Sequence, residues 1–242
     1  MPERDERLPR KLAAEAVGTA FLLTTIVGSG IMGDRLAAGN FALALLANSV
    51  ATGCSLVALI LALGPISGAH LNPVVSLASA VQGELSWREA PAYIGAQVLG
   101  AVVGVALAHG MFELRAFSAS GHVRAGGAQV LSEAVASFGL VLVILGCARQ
   151  RPGALPFAVA GYITAAYWFT SSTSFANPAV TVARSLTDTF SGIRPKDVPG
   201  FLLGQSLGAT AAVLLYRWLV SARRPAPNGL SPSRSSEEAP RG

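Results

Sequence analysis

Residues 171–186 read SSTSFANPAVTVARSL, and residues 66–80 echo them as ISGAHLNPVVSLASA. Each stretch holds an Asn-Pro pair, Asn177-Pro178 and Asn72-Pro73, at the head of a run too short to cross a bilayer. Asparagine is a good helix N-cap, and proline suits the first helical position, whose N–H has no intrahelical partner. Each pair therefore predicts a helix N-terminus, with its unsatisfied N–H groups and the positive end of its dipole. Inside a membrane such an end must face another buried group or a watery cavity. Two of them, one in each half of the chain, predict half-helices that meet tip to tip at a pore.

Composition agrees with a membrane setting. Of 242 residues, 52% are hydrophobic and 13% charged, and the mean hydropathy is +0.51, whereas soluble domains carry roughly a quarter charged residues. Apolar runs predict six spans, over residues 12–32, 41–63, 90–111, 129–148, 155–169 and 198–220. Basic residues before an apolar run also describe a secretory leader, but the first run is long and has a counterpart later in the chain. The sequence pI near 9.8 does not signal a nucleic-acid partner, because the basic residues gather at the ends of spans. With both termini cytoplasmic, that side holds twelve Lys and Arg and the other side six, which is the orientation the positive-inside rule selects. Cys54 and Cys147 fall in different spans and read as buried thiols, with no disulfide framework.

The chain repeats itself. Glu15-Ala16-Val17 opens the first span and Glu133-Ala134-Val135 the fourth, while Pro91, Gln97 and Gly100 recur at one constant offset as Pro199, Gln205 and Gly208. Three spans per copy is an odd number, so the second copy must run inverted, with its site near the midplane between the halves. The expected organisation is an N-terminal segment (residues 1–11), a first repeat (12–111), an outer connecting loop (112–128), a second inverted repeat (129–220) and a disordered cytoplasmic tail (221–242). The fold class is thus all-α: six transmembrane helices plus two re-entrant half-helices.

Two Asn-Pro half-helices, the SGAHLNP lead-in and a Glu heading each half resemble the aquaporin and aquaglyceroporin (major intrinsic protein) family, over about residues 12–220. The resemblance implies a homotetramer in the inner (plasma) membrane, one pore per subunit for small neutral solutes, and no cofactor or metal. Its pore motifs fall on Asn72, Pro73, Val74 and on Asn177, Pro178, Ala179. Val74 stands where the family has Ala, a change expected to alter packing where the half-helices meet. Three residues after the second Asn, Val180 takes the place of the Arg that narrows the family's outer filter. Family spacing maps the remaining filter positions onto Thr52, Ser174 and Ala165, with Tyr162, Ala166 or Tyr167 as alternatives for the last. The mapped set is small, uncharged and without an aromatic wall, unless Tyr162, Tyr167 or Trp168 swings in and narrows the pore.

Each Asn side chain offers two N–H donors, so a water at the junction is held as an acceptor while cations are repelled, the logic already described for aquaporin-type pores. Losing the filter Arg removes a bulky cation and fixed donors, which suits neutral solutes larger than water. Val at this position resembles a bacterial subset associated with arsenic resistance, and this implies conduction of trivalent arsenite, As(OH)₃, and of methylated arsenicals.

Arg184 lies one helical turn beyond Val180, on the same face. It either reaches back to the filter or, the expected reading, sits in the vestibule paired with Asp188 at i, i+4. Glu15 and Glu133 inside apolar spans raise the prospect of a proton relay, but their symmetric placement favours bracing of the non-helical backbone, with His70, Gln97 and Gln205 sharing that task. Loop residues His122, Arg124 and Gly126-Gly127 read as vestibule or plain connector. Zinc-protease, nucleophile-elbow and phosphate-loop patterns are missing, which argues against an enzyme. A secondary transporter shares inverted repeats and broken helices, but it usually needs an ionisable midplane site, where this chain has two neutral amides.

Overall fold

The structure, a computed structural model, describes residues 7–221. The expected N-terminal segment lies in part, and the expected tail almost wholly, outside the described residues. Two sets of four helices follow one another. The first is α1 (Leu8–Leu36), α2 (Phe41–Ser67), the short α3 (Pro73–Gln82) and α4 (Ala90–Met111); the second is α5 (Gly127–Gln150), α6 (Leu155–Phe169), the shorter α7 (Pro178–Arg184) and α8 (Val198–Ser221). Four of the long helices, and the stretch Pro195–Ser221, are long and apolar enough to cross a membrane. Helix α6 has only 15 residues and continues a 3₁₀ turn at Pro152–Ala154.

Local chemistry sets the helix ends. Asn40 caps α2 by accepting from the Leu43 N–H at 3.2 Å. Gly68 (φ +88°) ends α2 and Gly83 (φ +81°) ends α3, both in the left-handed region where a Cβ is strained. Both Asn-Pro pairs start helices as their grammar predicts. Asn72 accepts from Val74 N at 3.1 Å, and Asn177 from Ala179 N at 3.0 Å and Val180 N at 3.2 Å.

Packing repeats between the halves. Helix α1 lies against α4 and α2, as α5 lies against α8 and α6, and α2 meets α6 across the two halves. The short helices cross over: α3 touches α4 and α8, and α7 touches α8 and α4. Small residues make the closest approaches possible. Gly100 and Gly104 of α4 seat on the carbonyls of Ala16 and Ala20, and Gly204 and Gly208 of α8 on those of Val130 and Ala134, so a Cβ at any of the four would run into backbone. The Glu-Ala-Val and Gly repeats seen in the sequence are therefore the two faces of one helix–helix contact, built twice. Apolar side chains fill the space between helices, with Leu23, Val27, Ala101, Val105 and Ala136 fully buried. Large apolar residues such as Phe21, Leu99, Leu131, Leu203 and Trp218 stand on the outside, as a lipid-facing surface requires.

Candidate functional site: a lumen between two asparagine-capped tips

The chain leading into each short helix is irregular. Ala69 and Leu71 before Asn72, and Thr173, Ser174 and Ala176 before Asn177, all have left-handed backbone with φ between +46° and +61°. For residues with a Cβ, each such conformation costs on the order of 1–3 kcal/mol and persists only where the surroundings enforce it. Here a buried carboxyl group enforces it in each half. Glu15 accepts from the Ser67 hydroxyl (2.7 Å), His70 N (2.9 Å), Leu71 N (2.7 Å) and Gln97 Nε2 (2.8 Å). Glu133 accepts from Phe175 N (2.9 Å), Ala176 N (2.8 Å) and Gln205 Nε2 (2.6 Å). Every partner of these carboxyls is a donor, and both groups are fully buried, which is the geometry of a brace.

The braces extend into the short helices. Gln97 also donates to Ser76 Oγ at 2.9 Å and Gln205 to Thr181 Oγ1 at 2.7 Å. Ser76 and Thr181 each lie one turn after their Asn, and sequence reading missed them; their matching places after Asn72 and Asn177 were the available signal. The His70 ring bonds Ser76 Oγ and Ser79 Oγ at 3.1 and 3.3 Å. It therefore fastens to α3, and only its backbone N–H meets the Glu15 brace.

The two tips are tied to each other. Asn72 Nδ2 donates to Ala176 O and Asn177 Nδ2 to Leu71 O, each at 2.8 Å. One N–H of each amide is thereby spent, which leaves one for the space beside it. That space is a cavity of about 200 Å³ that both asparagines line. Its wall also takes in Glu84 and Ala148, Leu71 and Ala176, and Thr52, Tyr167 and Arg184.

Of the filter positions expected from the sequence, the structure brings Thr52, Ser174 and Val180 to the wall of this cavity. Ala165 does not join them. It is exposed on the outer side of α6, and Tyr167 faces the lumen in its place. The chain between α6 and Asn177 is irregular, so counting back from the asparagine does not preserve helical phase. The Tyr167 hydroxyl lies 3.2 Å from Thr52 Oγ1, so the throat has an aromatic wall. Val74 lines another surface: it is buried with Ala78, Val141, Leu145, Ala209 and Val213, against α5 and α8, rather than at the meeting of the tips. Ala179 is fully buried in the central core.

Arg184 departs furthest from expectation. No ion pair joins it to Asp188; among the described residues, salt bridges link Lys11 to Glu89 and Arg194 to Asp197. Asp188 instead accepts from Gly121 N at 2.9 Å. Arg184 turns inward, is only 2% exposed and lines the cavity. Its Nε donates to Ser191 O, and its guanidinium carbon lies 3.4 Å from the centroid of the Phe175 ring. The throat thus carries a charge that the mapped set lacked.

The connecting loop is more than a tether. Arg124 N donates to Asp197 Oδ2 (2.9 Å), its Nε to Gly192 O (2.8 Å) and its Nη1 to Ser172 O (3.1 Å), which straps the loop over the approach to Asn177. Arg194 holds the same Asp197 carboxyl, donating from Nε to Oδ2 at 3.2 Å and from Nη2 to Oδ1 at 2.8 Å.

A braced pair of half-helices around one lumen defines a membrane channel rather than an enzyme. Residues 4–166 match the major intrinsic protein family. Aquaglyceroporin AqpS of Rhizobium meliloti (strain 1021) is 56% identical over 225 residues, covering 93% of this chain and 96% of that protein. The glycerol uptake facilitator protein of Bacillus subtilis (strain 168) is 32% identical over 173 residues, covering 61% of this chain and 63% of its own length. In fold, the X-ray structure of the aquaglyceroporin from Plasmodium falciparum superposes with a TM-score of 0.68 at 21% identity, covering 89% of this chain and 98% of that one. The chain belongs to the major intrinsic protein family, and it is a multi-pass membrane channel.

Proposed function

We propose that this channel passes water, glycerol-like solutes, trivalent arsenite and methylated arsenicals, all as neutral molecules and all down their gradients. The observation that carries the reading is the wall at position 180. A valine, 2% exposed, borders the lumen three residues beyond Asn177, where the family's narrowing Arg stands. An apolar isopropyl group there accommodates carbon or methyl substituents that a guanidinium would exclude. The names of the Rhizobium and Bacillus relatives point the same way. The arsenical substrates rest on the resemblance that Val180 carries.

Tyr167 favours a second, narrower reading, in which the ring restricts the throat to water. The two readings separate in stopped-flow experiments on proteoliposomes of the full chain. The wider reading predicts glycerol and arsenite permeabilities about tenfold above protein-free vesicles, alongside rapid water flux. Water flux alone would select the narrow one. Four copies per assembly and cytoplasmic termini complete the proposal; cross-linking in native membranes tests the first and protease access to residues 222–242 the second.

A further inference from the structure

Two arginines flank one ring, and they differ in how they are satisfied. The guanidinium carbon of Arg124 lies 5.0 Å from the Phe175 centroid, and that of Arg184 lies 3.4 Å away. Arg124 spends Nε on Gly192 O and Nη1 on Ser172 O and, more weakly, on Thr173 Oγ1 at 3.4 Å. Its role is that of a strut. Arg184 uses Nε on Ser191 O, while its Nη1 is buried with no protein partner. A buried donor left unpaired is costly, more so on a charged group. The Ser174 hydroxyl, on the wall of the same cavity, is likewise buried and unpartnered. The neighbouring hydroxyls of Thr52 and Tyr167 have each other.

We propose that Arg184 is the specificity-determining cation of the throat: from one turn beyond position 180, it supplies the hydrogen-bond donor and the positive charge that Val180 lacks. This inference rests on the neutral-solute reading above and names the residue that sets its selectivity. A solute C–OH or As–OH accepts at its oxygen from Arg184 Nη1 and donates its proton to Ser174 Oγ, which satisfies both orphaned groups at once. A permeating cation meets a guanidinium that is in no ion pair among the described residues, where salt bridges join Lys11 to Glu89 and Arg194 to Asp197. Asp188 is engaged with Gly121 N, Asp197 with Arg194 and Arg124 N, and Glu133 with the Phe175 and Ala176 N–H groups and Gln205. The Phe175 face and the Ser191 carbonyl hold the guanidinium in place, so charge and donor are fixed before a solute arrives. Valine at 180 and arginine at 184 thus divide tasks that one side chain performs at position 180 in most of the family: the first leaves room, the second keeps the charge.

The test reads proton leak, and the ratio of sorbitol to glycerol flux, in proteoliposomes of the full chain. Wild-type vesicles should swell in glycerol with proton leak at the protein-free level. Arg184→Ala should raise both the leak and the sorbitol-to-glycerol ratio about tenfold, a change opposite in direction to the loss of all flux that collapse of the pore would give. Arg184→Lys, which keeps the charge, should hold the leak at the wild-type level. The proposal is overturned by a wild-type channel that leaks protons, by a leaking lysine variant, or by an alanine variant that still passes glycerol with leak and ratio unchanged. Wild-type vesicles that pass no neutral solute would instead end the channel-substrate reading on which it rests.

Discussion

Val180→Arg is expected to cut glycerol and arsenite flux at least tenfold, on the order of 1.4 kcal/mol or more at the throat, while water flux stays within about threefold. The new guanidinium would enter a constriction already bordered by Tyr167, Ser174 and Arg184. Two effects then act together. The isopropyl-sized recess for carbon or methyl groups is filled, and a second cation stands one helical turn from the first, where like charges repel and splay apart across the lumen. Water needs neither the recess nor a wide passage, so it continues. Stopped-flow light scattering of vesicles carrying native and variant protein, with water, glycerol and arsenite measured on one preparation, decides the matter. Equal loss of all three would show that position 180 acts through folding rather than through the width of the throat.

Glu133→Ala is expected to be among the most damaging single changes outside the throat, costing about 3–5 kcal/mol of stability. The carboxyl is fully buried and holds the Phe175 and Ala176 N–H groups and the Gln205 amide. Removing it orphans three donors where no bulk water reaches. It also releases Ala176, and with it the carbonyl that ties Asn72 across the tip. Asn72 and Asn177 then lose their shared register, so the lumen is disturbed along with the fold. The variant should appear as a large drop in the thermal stability of detergent-solubilised protein, with solute flux lost in whatever fraction inserts. A variant as stable as the native chain, with intact flux, would remove Glu133 from its role as a brace. Glu15→Ala should behave alike, because four donors converge on that group.

The parts of this fold that were legible in the sequence are those encoded locally and twice. An Asn-Pro pair states its own helix start, and a Glu recurring with Gln and Gly at constant spacing reveals the second copy. The pairing of Gly100 and Gly208 with the backbone of Ala16 and Ala134 is the physical origin of that recurrence. The throat was legible only in part, because it is assembled from irregular chain. Spacing counted back from Asn177 lands on Ala165 rather than on Tyr167, one of its alternatives, because residues 170–177 do not advance with helical period and the count loses phase. The i, i+4 spacing assigns Arg184 to its nearest acidic neighbour, Asp188. Its direction is instead set by the Ser191 carbonyl and the Phe175 ring, which no periodicity places beside it. Arg124 looked like part of a connector for a similar reason: its partners Ser172 and Gly192 lie far along the chain.

A channel conducts through a single open passage between the tips of Asn72 and Asn177, without a cycle of alternating access. Glycerol entry into proteoliposomes, followed as initial rate against concentration with and without an imposed proton or sodium gradient, tests it most directly. Through an open channel the rates rise in proportion to concentration and ignore both gradients. Saturation together with accumulation above the outside concentration, driven by either ion, would contradict it.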